Sequence, residues 1–244
     1  MLNEIKNFYK KTKLSLKKEP GTSIPESEWP KNWIKIYSKV YPRMSHVKLY
    51  KSDPEGEFEK LLESRNTLRS FNGNYISFKS LNKVLYFSLG VKNDSNDFNK
   101  TKRFYPSAGA RYPLESYLFS NNIENLQKGL YHYDVKNNNL EILLNKDLEE
   151  ECGKIFQNQK IEGKKNYLVL TSVISRGDVK YGINAYRFSL LECGHIGQNF
   201  SLLCEKEKLG CCAIGGFDND KLVKILDLTE EEIPLYAFAF GSLK

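Results

Sequence analysis

The chain has 244 residues, of which 40% are hydrophobic and 27% charged, and its formal net charge is +7. This length can bury a substantial core as one domain without disulfides or metal, which excludes a small disulfide-stapled scaffold. The basic residues are scattered among acidic ones and no nucleic-acid-binding motif occurs, so we expect no nucleic-acid partner.

No stretch of the sequence approaches the roughly 18 to 20 apolar residues that cross a bilayer. No apolar run follows the first residues, as it would in a secretory signal. We therefore expect a cytoplasmic protein with no membrane partner.

The five cysteines are Cys152, Cys193, Cys204, Cys211 and Cys212. None has the Cys-x-x-Cys spacing of zinc ligands, so we expect no metal site and small buried side chains, with a nucleophilic cysteine as the open alternative.

Residues 1–55 are predicted to form an arm that precedes a main domain at 56–244. The arm opens with apolar residues spaced for a short amphipathic helix, namely Leu2, Ile5, Phe8 and Tyr9. A stretch rich in Pro and Trp follows from 20 to 42, where prolines interrupt regular structure and the aromatic side chains need a surface to cover them. We expect the arm to pack on the core or on a partner.

The main domain is predicted to open with two helices, over 57–70 and 77–89, because apolar residues recur there at helical spacing. Gly90 ends the second helix, as glycine often does, and 92–104 reads as a polar loop. Strands and a long helix follow. The predicted strands are 115–119, 130–135, 140–144, 166–175, 211–214 and 235–241, and the predicted long helix is 185–209.

The order of these elements predicts an α+β fold, because hairpins and helices are mixed and do not alternate strictly. Residues 130–135 and 140–144 form a hairpin, and 166–175 reads as a central strand. Gly194 and Gly197 lie inside the long helix, where glycine costs about 1 kcal/mol relative to alanine. A helix of a second copy that approaches closely would explain them.

The first segment that indicates chemistry lies after the first predicted helix. Arg65 and Arg69 flank the hydroxyl of Thr67, a combination that suits a phosphate or another anion. The alternative is a solvated helix end.

The second segment is a loop between two prolines, where Pro106, Ser107, Ala108 and Gly109 are all small or rigid. Small residues allow a backbone to approach a flat ligand closely. The alternative is an ordinary ordered loop.

Two further segments flank the long helix. Lys180 and Tyr181 precede it, and both side chains would titrate within reach of a ligand if they were buried; alternatively they form a surface pair. Gly215 and Gly216 follow the strand after it, and their backbone N–H groups can face an acceptor. The alternative there is a tight turn.

Together the four segments resemble the SagB-type dehydrogenases, which form thiazoles and oxazoles in peptides and belong to the FMN-dependent nitroreductase family. The resemblance covers residues 57–244. The family's Arg-Arg-Ser-x-Arg pattern appears with Asn66 and Thr67 in place of the second arginine and the serine. General nitroreductases have Asn and Gln where this chain has Ala110 and Tyr112, which favours the SagB-type branch.

The resemblance implies a nitroreductase-like fold, with a mainly antiparallel central sheet flanked by helices and a long helix at a homodimer interface. It also implies bound FMN. Arg65, Thr67, Arg69 and Lys244 would hold the phosphate end or the body of FMN. The loop Pro106, Ser107, Ala108 and Gly109 would border the flavin. Gly215 and Gly216 would shape the side near N5.

The implied reaction converts a thiazoline or oxazoline of a ribosomally made peptide into the aromatic ring. Lys180 would be the base that removes the α-proton and Tyr181 its helper, while oxidised flavin accepts the hydride. A free lysine, with a pKa of about 10.4, is almost wholly protonated near pH 7, so such a base requires burial or a nearby cation.

Two alternatives remain open from the sequence. One is an NAD(P)H-dependent nitro- or enone reductase. The other is a non-catalytic flavoprotein that serves as a scaffold for a cyclodehydratase complex, although the intact Lys-Tyr sequence argues against it. The partners implied by the resemblance to SagB-type dehydrogenases are the azoline-containing peptide, a second copy of the chain and a cyclodehydratase complex.

Overall fold

The computed structural model describes residues 2–13, 26–28, 30, 39–92, 97–157 and 159–243. Lys244, most of the stretch from 20 to 42 and part of the polar loop at 92–104 lie outside these ranges. The helices are α1 (Leu2–Thr12), α2 (Glu57–Ser64), α3 (Phe78–Leu89), α4 (Glu149–Ile155), α5 (Ser175–Tyr181), α6 (Asn184–Lys206) and α7 (Asn219–Ile225). The strands are β1 (Leu114–Ser120), β2 (Gly129–Asp134), β3 (Asn139–Leu144), β4 (Asn166–Val173), β5 (Leu209–Ile214) and β6 (Glu232–Ser242).

The strands form a six-stranded sheet in the order β3-β2-β1-β4-β6-β5. Every neighbouring pair is antiparallel. The predicted α+β class, antiparallel sheet and β2–β3 hairpin are therefore confirmed. The strand predicted to be central, β4, lies inside the sheet, and its first seven residues are buried. Such continuous burial indicates that both faces of the sheet are covered.

Helices cover the two faces of the sheet, and the side chains of β4 alternate between them. Leu168 and Leu170 join one cluster of the core, in which α3 and α6 contribute Val84 and Phe200. Val169 belongs to a second cluster that includes residues of α4 and α7. The long helix α6 is thus the main cover of one face. Among the described residues, no helix is long and apolar enough to span a membrane.

The predicted helix over 57–70 is wrong in its second half, because α2 ends at Ser64. The following backbone is extended and bonds to other parts of the chain. The Leu68 N–H donates to the Cys211 carbonyl at 2.9 Å, and the Phe71 N–H donates to the Glu162 carbonyl at 3.2 Å. These partners replace the helical hydrogen bonds, so the chain runs along the sheet edge instead.

Three short helices were not predicted, and several boundaries differ, including the starts of β5 at Leu209 and of β6 at Glu232. Each of α4, α5 and α7 has seven residues, too few turns for a periodic pattern to stand out. The strand predicted to reach 175 ends at Val173, where α5 begins instead. The long helix ends at Lys206 instead of 209, because β5 begins at Leu209.

The N-terminal helix α1 forms as predicted and packs on the rest of the chain. Ile5 is buried against Ile174 and Ile233. The Asn219 side chain donates to the Tyr9 hydroxyl at 2.9 Å. The stretch 39–55 has no helix or strand and leaves apolar side chains in solvent, including Val47 at 91% exposed. The domain boundary at 55/56 stays a prediction.

The two glycines of α6 face different surroundings. A Cβ atom at Gly197 would lie 2.9 Å from Phe238 Cζ and 3.1 Å from Tyr236 Cε1, both on β6 of the same chain. A Cβ at Gly194 would meet no atom within 4 Å. The close packing that Gly197 permits is therefore between α6 and the sheet of its own chain, whereas Gly194 remains open to a second copy.

Replacing Gly197 with alanine should lower the free energy of unfolding by about 1–2 kcal/mol, because aromatic rings of the sheet must shift to accept the methyl group. Gly153, in α4, has open space around its Cα. Gly153→Ala should therefore raise the free energy of unfolding by about 0.5–1 kcal/mol through helix propensity. Urea unfolding followed by circular dichroism measures both. Equal stabilities of the two variants would contradict the packing described for Gly197.

Candidate functional site

The segment 65–69, called here the arginine loop, carries two cationic side chains at the edge of the sheet. Its backbone is fixed by the bond from Leu68 to β5 and by the Glu162 N–H, which donates to the Arg69 carbonyl at 2.8 Å. Thr67 and Arg69 are exposed and Arg65 is half-buried. Within the described ranges neither arginine has a carboxylate within ion-pair distance, so both guanidinium groups are available to an anion.

The glycine turn, Gly215 and Gly216, follows the same edge strand β5. A Cβ at Gly215 would meet no atom within 4 Å, so its outer side is open. The Gly216 carbonyl accepts a hydrogen bond of 3.1 Å from the Gln159 side chain. The structure therefore places the arginine loop and the glycine turn along one strand, β5.

The Pro-Ser loop, residues 106–113, has an unusual backbone. Gly109, Ala110 and Tyr112 have φ angles of 58°, 52° and 46°. Positive φ is uncommon for residues with a side chain and costs energy that other contacts must offset. One such contact is the Tyr112 N–H, which donates to the Ser107 Oγ at 2.9 Å.

The Lys-Tyr pair, Lys180 and Tyr181, ends helix α5 and lies directly against this loop. A Cβ atom at Gly109 would overlap the Tyr181 Oη and would lie 2.9 Å from the Lys180 Nζ. The Nζ is 5.3 Å from the centre of the Tyr181 ring, and that ring meets Phe188 edge-on at 5.0 Å. Glycine suits position 109, because it adopts this φ without cost and because a Cβ there would force the Tyr181 Oη and the Lys180 Nζ to move.

The arrangement brings an ammonium group and a phenol together above a loop of small residues. Tyr181 is half-buried, whereas Lys180 is exposed. The burial expected for a lysine base is thus not provided by the described part of this chain. No hydrogen bond or ion pair between described residues connects the Lys-Tyr pair or the Pro-Ser loop to the arginine loop.

A group of charged residues beside the Pro-Ser loop was not predicted. Arg176 of α5 forms an ion pair of 2.5 Å with Glu115 of β1. The other Glu115 oxygen lies 3.0 Å from His132 Nε2, and His132 Nδ1 lies 2.8 Å from Glu141. The hydrogen bond that His132 donates to Glu115, aided by the one to Glu141, raises the pKa of His132 to about 9. Burial acts to raise the pKa of Glu115, but His132 and Arg176 outweigh it and lower that pKa.

Glu192 of α6 is a second residue with no predicted role, and it is only 2% exposed. Burial raises its pKa to about 7, although the Ser107 hydroxyl, which donates to this carboxylate, opposes the shift. Its Oε1 atom has no hydrogen-bond partner among the described residues. The Ser107 hydroxyl, predicted to contact a cofactor, is thus already engaged with Glu192 and Tyr112.

The cysteines are all buried, as predicted for small core residues. Burial raises the pKa of Cys152 to about 12 and shifts the pKa of Cys193 in the same direction. A thiol with a raised pKa is a poor nucleophile near neutral pH. The structure therefore gives no support to a nucleophilic role for these two cysteines.

The model of the Nitroreductase family matches residues 62–242, so this chain belongs to the Nitroreductase family. The chain is 26% identical over 188 residues to MJ1384 of Methanocaldococcus jannaschii, which is named a nitroreductase. That match covers 77% of this chain and 91% of MJ1384. The chain is 28% identical over 177 residues to the microcin B17-processing protein McbC of Escherichia coli. That match covers 70% of this chain and 64% of McbC.

Solved structures agree with this assignment at the level of the fold. A chain of the E. coli microcin synthetase McbBCD complex, with truncated pro-MccB17 bound, superposes with a TM-score of 0.76 at 23% identity. All of this chain and 93% of that chain are covered. A nitroreductase from Anabaena variabilis gives a TM-score of 0.64 at 23% identity and covers 77% of this chain but 38% of its own. The nitroreductase-like fold predicted from the sequence is confirmed.

The buried carboxyl of Glu192 makes a pH-dependent prediction. Burial raises its pKa in the folded protein to about 7, above the ordinary 4.5 of a glutamate, so the folded state binds the proton more tightly and loses stability as the pH rises from 4.5 through 7. Glu192→Gln removes this loss. The variant should be more stable than the wild type at pH 8, by of the order of 2–3 kcal/mol, and similar to it at pH 4.5.

Denaturant unfolding at the two pH values measures this difference, and Glu63→Gln, an exposed carboxylate on α2, serves as the matched control. The control should follow the wild type at both pH values. A Glu192→Gln variant that is no more stable than the wild type at pH 8 would show that the ionised Glu192 carboxylate does not destabilise the folded protein.

Proposed function

We propose that this protein is an FMN-dependent dehydrogenase that oxidises thiazolines or oxazolines of a ribosomally made peptide to thiazoles or oxazoles. The observation that carries the proposal is the contact of Lys180 and Tyr181 with Gly109. This contact joins a candidate base and its candidate helper to the loop of small residues in a member of the Nitroreductase family. The likeness to McbC, a microcin B17-processing protein, supports a peptide as the substrate.

The residues present fit the phosphate and the flat ring of FMN. Arg65 and Arg69 offer guanidinium groups without carboxylate partners, and Thr67 is exposed between them. Gly215 leaves open space beside β5, where a ring system would find no Cβ in its way. When bound, FMN supplies the acceptor for the hydride that the azoline loses. A role for Lys244 at the phosphate remains part of the proposal.

The chain's own residues would manage the proton that the azoline loses. Lys180, in its neutral form, takes the α-proton, which the neighbouring carbonyl and ring imine make acidic. The Tyr181 hydroxyl lies against the same glycine and helps to hold the amine and the substrate in place. Since Lys180 is exposed in this chain, the bound peptide and a second subunit must exclude water from the amine.

Several proposed partners follow from the surface and from the comparisons. Apolar side chains are exposed at the junction of α5 and α6, including Val179 at 84% and Leu191 at 56%. A homodimer through α6 would bury them. The likeness to a chain of the McbBCD synthetase complex supports a peptide substrate and a complex with cyclodehydratase subunits. A cytoplasmic location and an arm at residues 1–55 complete the proposal.

The decisive comparison is between two activities of the same FMN-loaded protein. Lys180→Ala should lower kcat for azoline oxidation at least a hundredfold, a loss typical of removing a general base. It should leave NAD(P)H-driven reduction of a nitroaromatic compound within about threefold of the wild type, because that reaction needs no base at this position. Lys60→Ala, an exposed lysine on α2, should alter neither.

Product formation is followed by peptide mass and by NAD(P)H absorbance, with flavin content checked by the visible spectrum. A Lys180→Ala enzyme that oxidises the azoline at the wild-type rate would contradict the assignment of the base. A wild type that only reduces nitroaromatics would favour the NAD(P)H-dependent reductase, and a wild type with neither activity would favour the scaffold.

A further inference from the structure

Helix α5 presents the Lys-Tyr pair, yet it is too short to hold that pair by itself. It has seven residues, and Lys180 and Tyr181 are its last two. Isolated helices of this length are unstable in water, so the position of α5 depends on contacts with the rest of the fold. The contacts at its first turn, together with the packing of Tyr181 on Phe188 of α6, therefore determine where its last turn lies.

Arg176, one turn before Lys180, makes most of the polar contacts at the first turn. Its Nη2 lies 2.5 Å from Glu115 Oε1. Its backbone carbonyl accepts a hydrogen bond of 2.8 Å from the Arg111 Nε. Its Nη1 also points to the Tyr112 carbonyl at 3.5 Å, a weak contact. Arg111, Glu115 and Arg176, called here the α5 clamp, thus connect the helix to the Pro-Ser loop and to β1.

The central carboxylate of the clamp is itself fixed in the sheet. Glu115 stands on β1 with its side chain only 17% exposed, and its second oxygen meets His132 Nε2 of β2 at 3.0 Å. Ion pairs away from water are screened less than those at the surface. Removing one partner leaves the other charge without compensation, which is costly. Glu141 lies 2.8 Å from the opposite nitrogen of His132, and within the described part of the chain no hydrogen bond or ion pair joins it to α5.

The same clamp also stabilises the loop on which the Lys-Tyr pair lies. Arg111 of the clamp and Tyr112, whose carbonyl faces Arg176, both belong to the Pro-Ser loop, where Ala110 and Tyr112 adopt positive φ angles. A strained backbone keeps its shape only where surrounding contacts determine it. The α5 clamp therefore holds both partners of the contact between Gly109 and the Lys-Tyr pair. It holds the Pro-Ser loop, which carries Gly109, and helix α5, which carries the pair.

We propose that Glu115 and Arg176 are positioning residues, which hold Lys180 and Tyr181 against Gly109 in the geometry that proton removal requires. This inference rests on the proposed function for its catalytic consequence, but its structural part does not. Among the described residues, no hydrogen bond or ion pair joins either residue to the Lys-Tyr pair. Both act through the first turn of α5 and the Pro-Ser loop.

The test uses the full FMN-loaded chain and four variants. Arg176→Gln and Glu115→Gln each break the clamp, Arg176→Lys keeps the charge without the planar fork, and Glu141→Gln changes only the outer partner of His132. Two measurements are made on each. One is the separation of kcat from KM for an azoline peptide. The other is the rate at which dilute acetic anhydride acetylates Lys180 at pH 8, relative to the exposed Lys60, by peptide mass spectrometry.

Breaking the clamp should lower kcat at least tenfold with KM within threefold of the wild type, because the substrate still binds but the base is misplaced. Acetylation of Lys180 should rise at least threefold, since the Nζ no longer lies against Gly109 and the Tyr181 ring. Arg176→Lys should restore part of kcat. Glu141→Gln should stay within twofold of the wild type in both measurements.

Wild-type kcat and acetylation in Arg176→Gln would overturn the positioning role, and so would an equal loss in Glu141→Gln. Arg176 is the more exposed partner of its ion pair with Glu115, with 42% of its side chain exposed. Arg176→Gln should therefore fold even if Glu115→Gln does not. If the wild type fails to oxidise azolines, the proposed function is wrong, and the acetylation rates still decide whether the clamp holds Lys180.

Discussion

The contact between the Lys-Tyr pair and Gly109 constrains much of the surrounding structure. A Cβ at position 109 would force the Tyr181 Oη to move, and the loop reaches this position with φ angles that only glycine adopts at no cost. The loop must therefore be held by contacts from outside it. The α5 clamp provides such contacts through Arg176 of α5 and Glu115 of β1, a strand inside the sheet.

The arginine loop and the glycine turn lie along β5, the edge strand, and within the described ranges no hydrogen bond or ion pair links them to the Lys-Tyr pair. The exposed surface of α6 gives a physical reason for the homodimer in the proposed function. A second chain packed on α6 would cover the exposed apolar side chains there and the exposed Lys180. Burial of the amine, required for a base near neutral pH, would then come from assembly.

The fold could be predicted from sequence wherever local pattern and tertiary structure agree. Gly90 ends α3, and the apolar run from Asn166 forms the buried strand β4. The prediction failed at 65–70, where Leu68 continues a helical pattern but its N–H bonds to β5 instead. The four chemical segments were visible in the sequence because each is contiguous. Glu115, His132 and Arg176 were not, since they come from β1, β2 and α5 and only the folded chain brings them together.

The most direct test of the proposed function is an anaerobic titration of the yellow, FMN-loaded protein with an azoline-containing peptide in the absence of NAD(P)H. The flavin absorbance should be lost in proportion to the peptide added. One peptide product, lighter by about two mass units, should form per flavin reduced, since the ring gives up one proton and one hydride. Flavin that stays oxidised with the peptide and bleaches only after NAD(P)H is added would rule out the dehydrogenase and identify a reductase.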